Sequence, residues 1–317
     1  MGALLSCLQR AGNSKLPLTF PHRKRSKMER ENFISGIIKT VPRFMYGIAH
    51  TVLDFSWSVL KSCLVDDDRT AIHSQDDGVE FRPISLTTMS FSLHLLTQIK
   101  SSLNVTINDV MTGIVTYGIR LYMQEIDKET CNGRCTSLVL FNTRETKGYT
   151  SVDEMIKPNA EMPWGNRFTF LAFGIPKLIF GGEPSDPLGF VFRAHHMVKR
   201  QKSSALVYLN GHLLEFLRKF RGPEVTAGYI HGMLRNTSIT MSNMIGPVEE
   251  TTVINHPVKD MYFFVAGSPQ SLSVTMVSYM GNLRLAIVAE KDFIDREKIK
   301  SSIEYAFDEI FKLSVKT

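Results

Sequence analysis

Apolar residues recur along this chain with two periods, and each change of period marks an element. Ile107, Val110, Ile114, Tyr117 and Leu121 fall three and four apart, which predicts a helix from Ile107 to about Glu125 with one buried face. Helical patterns also fill residues 92–103, 187–202, 206–220 and about 295–313, the last with Asp295 placed as its N-cap. Runs rich in β-branched and aromatic residues at 81–90, 136–142, 168–175, 238–242, 261–266, 272–279 and 283–289 predict strands. Strands mixed with long helices imply an α/β layered sheet with helical cover, and no internal repeat is visible. Residues 261–283 form the longest uncharged run, long enough for a membrane span. Its middle reads Gly267-Ser268-Pro269-Gln270-Ser271, a turn cluster that predicts a hairpin instead.

The first part of the chain is patterned differently. Residues 3–8 read as a short amphipathic helix, and the basic stretch 22–27 as a solvated linker. Residues 33–64 open on Phe33, close on Leu64 and are apolar and aromatic throughout, broken by Pro42 and punctuated by Lys39, Arg43, Asp54 and Lys61. Those charges argue against a span. Two helices with a wide apolar face fit better, packed on the protein itself or in peripheral contact with a membrane surface. The acidic, turn-rich stretch 65–78 then divides the chain into an N-terminal portion, 1–78, and a main domain, 79–317.

Composition narrows the classes. Over 317 residues, 43% are apolar and 21% charged, which is ordinary for a globular protein. A net charge of +6 suits anionic partners such as acidic lipid head groups or a phosphorylated cofactor. No basic stripe interleaved with aromatics is present, so nucleic acid is not expected as a partner. Cys7, Cys63, Cys131 and Cys135 have no histidine at a zinc-like spacing, and reduced thiols with no metal are expected. No signal peptide is expected, because the first apolar stretch is short and lacks a small-residue cleavage site. Met1-Gly2-Ala3-Leu4-Leu5-Ser6 fits the loose N-myristoylation pattern, with Cys7 as a second lipid position.

Four constellations carry chemistry. Asn108-Asp109-Val110 opens the long helix, where a carboxylate caps free N–H groups; Asn108 could instead aim an amide donor at a developing oxyanion. Ser242-Asn243-Met244-Ile245-Gly246-Pro247 ends a strand in a Gly-Pro turn, which reads as an ordinary turn or as exposed backbone where a ligand sits. The adjacent His195-His196 lies mid-helix among basic residues, and a solvated helix face is expected there. His73-Ser74-Gln75-Asp76-Asp77-Gly78 spells a histidine, three residues and Asp-Gly, but in the polar boundary loop, where a general base would be poorly held.

The stretch 107–125, with Leu121-Tyr122-Met123-Gln124-Glu125 closing the Asn-Asp helix, together with Phe141-Asn142-Thr143-Arg144, Trp164-Gly165-Asn166, the Ser242 to Pro247 turn and Val277-Ser278-Tyr279-Met280-Gly281-Asn282-Leu283, resembles the plant wax ester synthase/diacylglycerol acyltransferase family. The resemblance implies a CoA-dependent acyltransferase-like (chloramphenicol acetyltransferase-like) α/β fold of two sheet-containing halves. It implies transfer of a fatty acyl group from acyl-CoA, as co-substrate, to a long-chain alcohol or to diacylglycerol. It implies a place at the cytosolic face of the endoplasmic reticulum membrane or the plasma-membrane periphery. Asn108 matches a family position linked to the active centre, and Asp109, Ser242, Asn243, Gly246 and Pro247 match structural positions near it. The family's base is the second histidine of His-His-x-x-x-Asp-Gly, which this sequence lacks. Met1 to Leu5 resembles the start of the helix that follows that motif, so the chain is expected to begin just after it, with the first half-domain incomplete.

Three readings follow. One is an O-acyltransferase; another is a catalytically inert form that binds acyl-CoA, lipid or a full-length partner. A third is a lipidated membrane-surface protein resting on the Met1 to Cys7 pattern.

Overall fold

The computed structural model describes residue 11 and residues 65–142, 168–180, 183–184, 186–203, 206–246 and 250–316. The lipidation pattern at Met1 to Cys7, the apolar stretch 33–64, Cys63, Trp164-Gly165-Asn166 and Pro247 lie outside them.

A six-stranded sheet organises the domain, in the order β1 (Ile84–Ser92), β10 (Asn282–Glu290), β9 (Leu272–Tyr279), β6 (Ile239–Ile245), β2 (Thr136–Asn142), β3 (Phe168–Gly174). β9, β6 and β2 are parallel; the pairs β1–β10, β10–β9 and β2–β3 are antiparallel. Two-stranded pairs β4–β5 (Ile179–Phe180, Glu183–Pro184) and β7–β8 (Thr252–Val253, His256–Pro257) complete the strands described.

One face of the sheet carries α1 (Leu93–Leu103), α2 (Ile107–Ile126), α3 (Pro187–Ser203) and α6 (Arg296–Lys316), and the main hydrophobic core lies between. α2 departs from the expected single buried face: every residue from Asp109 to Arg120 is buried. Two glycines explain this. A Cβ on Gly113 would fall 2.8 Å from the Val191 Cα, and one on Gly118 would fall 2.7 Å from the Ile303 Cα, so α3 and α6 close onto α2 backbone to backbone. Further along α2 the buried Arg120 guanidinium donates to four backbone carbonyls: Pro176 (2.8 Å), Ile175 (2.9 Å), Cys131 (2.8 Å) and Gly133 (3.1 Å). α6 begins as expected, the Asp295 carboxylate accepting from the N–H groups of Glu297 (3.0 Å) and Lys298 (3.1 Å).

α5 (Gly222–Arg235) follows α4 (Leu206–Phe220) and covers β2 and β3 on the opposite face, through Met233 against Leu138 and Phe170. No helix is expected there from the sequence, since three glycines dilute the pattern. The expected strand at 261–266, and the hairpin joining it to the next run, are not formed. β9 is bracketed by β10 and β6 and offers no free edge to a third partner. Residues 250–266 instead cross the sheet face, where the Tyr279 hydroxyl donates to the Val258 carbonyl (2.7 Å) and accepts from the Thr251 N–H (3.0 Å). The hairpin lies one strand later, at Met280 and Gly281, both with positive φ. Among the described residues no helix is long and apolar enough to cross a membrane.

The acidic stretch 65–78 is packed rather than solvated. Ile72 enters the core, and buried Asp67 accepts from the N–H groups of Thr136 (2.5 Å) and Ser238 (2.9 Å), holding the starts of β2 and β6 side by side.

Candidate functional site

The candidate site forms where the parallel strands end and α2 begins. Open α/β sheets characteristically present ligand sites outside the carboxyl ends of their strands. Thr106 caps α2: its hydroxyl accepts from the Asp109 N–H (3.2 Å), while the Asp109 carboxylate accepts from the Thr106 N–H (2.9 Å). That box turns the first helical turn, with Asn108 in it, toward the end of β6.

Side chains alternate along β6, so Asn243 shares the helix-covered face with Ile239 and Met241, and Ser242 turns to the other. Asn243 Nδ2 donates to Asn108 Oδ1 at 3.1 Å. Two residues singled out far apart in sequence therefore meet in one hydrogen bond. Because Asn243 occupies the Asn108 carbonyl oxygen, the Asn108 amide is held with its own NH₂ as the group left to offer. Gly246 follows the strand and its N–H donates to the Ser278 hydroxyl (3.2 Å). A Cβ there would stand 2.0 Å from the Ser278 carbonyl oxygen, so only glycine lets the end of β6 lie this close to β9. Ser242 makes no polar contact with this pair.

Asp109 is more than a cap. The same Oδ2 lies 2.8 Å from Nδ1 of His195 on α3, with the carboxylate side chain 1% exposed and the imidazole 27%. The expected solvated face holds for His196, which is exposed, and fails for His195. Sequence context could not show it, because the antiparallel packing of α2 and α3 at Gly113 and Val191 is what brings His195 level with Asp109. Asp109 Oδ1 is buried without a hydrogen-bond partner.

His73 lies elsewhere. It pairs with Thr70 in the packed 65–78 segment, whose neighbour Ser74 bonds the Ser271 hydroxyl (3.0 Å) at the opposite end of β9. The strand length separating the two ends, from Ser238 to Asn243, is roughly 16 Å. His73 to Gly78 therefore belongs to the far end of the sheet. Among the described residues no group of His, Cys, Asp and Glu is arranged to hold a metal ion.

Comparison with known proteins agrees with this architecture. Residues 164–311 match the family model described as the WS/DGAT C-terminal domain. The chain is 25% identical to wax ester synthase/diacylglycerol acyltransferase 4 of Arabidopsis thaliana over 93% of its own length and 59% of that protein's. It is also 25% identical to wax ester synthase/diacylglycerol acyltransferase 6 of the same plant, over 98% of its length and 66% of the relative's. Against the first of these, then, it spans about three-fifths of the relative's length. Its fold resembles that of the EpoB NRPS cyclization-docking bidomain of Sorangium cellulosum, with TM-score 0.54, 10% identity, and coverage of 99% of this chain and 57% of that one. The fold is the expected CoA-dependent acyltransferase-like α/β type, and residues 164–311 are similar to the C-terminal domain of the wax ester synthase/diacylglycerol acyltransferase family.

Proposed function

We infer that the site serves acyl transfer from acyl-CoA to the hydroxyl of a long-chain alcohol or of diacylglycerol. The observation that carries this reading is the Asn243–Asn108 hydrogen bond at the strand ends. It presents a pre-set amide donor beside the N-terminus of α2, where negative charge is favoured. Attack of a hydroxyl on a thioester places negative charge on the carbonyl oxygen, and a fixed N–H donor lowers the barrier without reorganising. The names of the Arabidopsis relatives, wax ester synthases and diacylglycerol acyltransferases, support the two acceptor classes. A place at the cytosolic face of a membrane fits the same reading, since both acceptors are lipids.

The test is acyl transfer by the 317-residue chain with radiolabelled palmitoyl-CoA and either hexadecanol or 1,2-dioleoylglycerol. Asn108→Ala is expected to lower kcat about 10²-fold with little change in KM, the effect of losing one oxyanion donor. Unchanged kcat would remove Asn108 from this role. Binding of palmitoyl-CoA by the wild-type chain without ester formation would instead assign it to the non-catalytic acyl-CoA binders.

A further inference from the structure

We propose that the tip of the α4–α5 hairpin docks on the surface of a bilayer containing anionic phospholipid. The proposal gives a face to the membrane placement read above and rests on that placement, not on the chemistry of the site.

Along the end of α4, Leu213, Phe216, Leu217 and Phe220 fall three and four residues apart, the spacing of a helix face made for burial. That face is not buried, and no residue from 213 to 232 is. Phe216 is 55% exposed, Phe220 64% and, in the first turn of α5, Val225 43%. The two rings lie against each other, centroids 4.6 Å apart. Single apolar residues on a surface are ordinary, but a packed aromatic pair at a helix end marks a place of contact.

The charges among these residues have one sign. Arg218 and Lys219 in the last turn of α4, and Arg221 at the N-cap of α5, are all exposed. None of the three takes part in an ion pair among the described residues, and the Lys219 Nζ stands 5.7 Å from the Phe220 ring centroid. Glu215 and Glu224 flank the tip, so residues 216–223 carry three positive charges and no acid. Unpaired cations beside exposed aromatics match the layering of an acidic bilayer, with phosphates at the surface and hydrocarbon just beneath.

The hairpin holds this tip away from the domain. At the other end of α5, Met233 is buried against Leu138 and Phe170, His231 pairs with Glu80 (3.2 Å) and Arg235 with Asp77 (2.5 Å). The 14 residues of α5 put Arg235 roughly 20 Å from Gly222. Gly222, at φ +91°, makes the turn between the helices, and a Cβ there would meet nothing within 4 Å. The base is tied down and the tip is open.

The test mixes the full chain with vesicles of phosphatidylcholine, alone or with about one-third phosphatidylserine, and separates bound protein by flotation. Wild type is expected to bind the anionic vesicles about tenfold or more tighter than the neutral ones, and to be released by salt. Arg218→Gln/Lys219→Gln/Arg221→Gln should weaken anionic-vesicle binding about 10²-fold, and Phe216→Ser/Phe220→Ser about tenfold or more, each melting like the wild type. Insertion is read separately. Phe220→Trp should be quenched by lipids brominated on their acyl chains beyond the wild type's own tryptophans, whereas Phe81→Trp, replacing an 87% exposed ring next to Glu80, should not. Failure of wild type to float with anionic vesicles overturns the proposal, as does binding by either multiple variant within about twofold of wild type. An unquenched Phe220→Trp also overturns it, and so does a wild-type dimer that Phe216→Ser/Phe220→Ser converts to a monomer, which would assign the tip to a second copy. Ester formation from detergent-dissolved substrates should be the same in wild type and variants. A chain that floats but forms no ester therefore overturns the acyl-transfer reading alone, and one that forms ester but does not float overturns this proposal alone.

Discussion

A single buried cation shows how much one side chain can hold. Arg120 is 1% exposed, has no carboxylate among its hydrogen-bond partners and instead satisfies four main-chain carbonyls from the 131–133 turn and the end of β3. Removing it strands those carbonyls in the core. Arg120→Met, close in volume, is expected to cost about 3 kcal/mol or more, measured as a lowered denaturant midpoint with unchanged m-value. An arginine mid-helix looks like a solvated residue in sequence, so this clamp was not legible there. Asn108 and Asn243 were singled out only through the resemblance of their motifs, and nothing in spacing alone says that they touch. His195 was misread for a related reason. Which carboxylate faces a helical histidine depends on how a second helix is stacked, and that is information no window of sequence holds.

Elements were more legible than residues. α2, α4, β2 and β9 lie within a residue or two of where periodicity puts them, because each has a strong pattern and packs as that pattern asks. The failures have structural causes. α5 is weakened by Gly222, Gly228 and Gly232 and is stabilised by docking on β2 and β3. Residues 261–266 alternate like a strand but meet a sheet whose neighbouring edges are taken. The completely buried α2 depends on its glycines, which a pattern of apolar positions does not report. Gly118→Ala is expected to drive α6 away from α2, since its methyl would meet the Ile303 backbone rather than a flexible side chain. The expected cost is about 1–3 kcal/mol, read from thermal melts, with Gly228→Ala as the control that meets open space and holds or gains stability.

For the whole molecule, two tyrosines set an alkaline limit. Burial pushes the Tyr117 hydroxyl far above its usual range, assisted by its hydrogen bond to Glu309 (2.6 Å), and burial raises Tyr122 as well. A folded pKa above the unfolded one means the folded state keeps its proton longer. The stability this brings is complete below about pH 10 and is lost as pH climbs from there toward the folded value. Unfolding free energy should therefore fall as pH rises above about 10, and Tyr117→Phe should flatten that slope.

The pairing of β1 with β10 has a consequence for how the protein is made. Ile84 pairs with Glu290 and Ser92 with Asn282, so the first strand of the sheet finds its neighbour only when the last has been synthesised. At roughly 5–20 residues per second, that leaves an apolar strand edge waiting on the order of ten seconds or more. Ribosome-stalled chains ending before residue 282 should recruit chaperones through residues 84–92, and chains that have released β10 should not. The order of synthesis, rather than the strength of any one contact, would then decide how much of this protein reaches its native state.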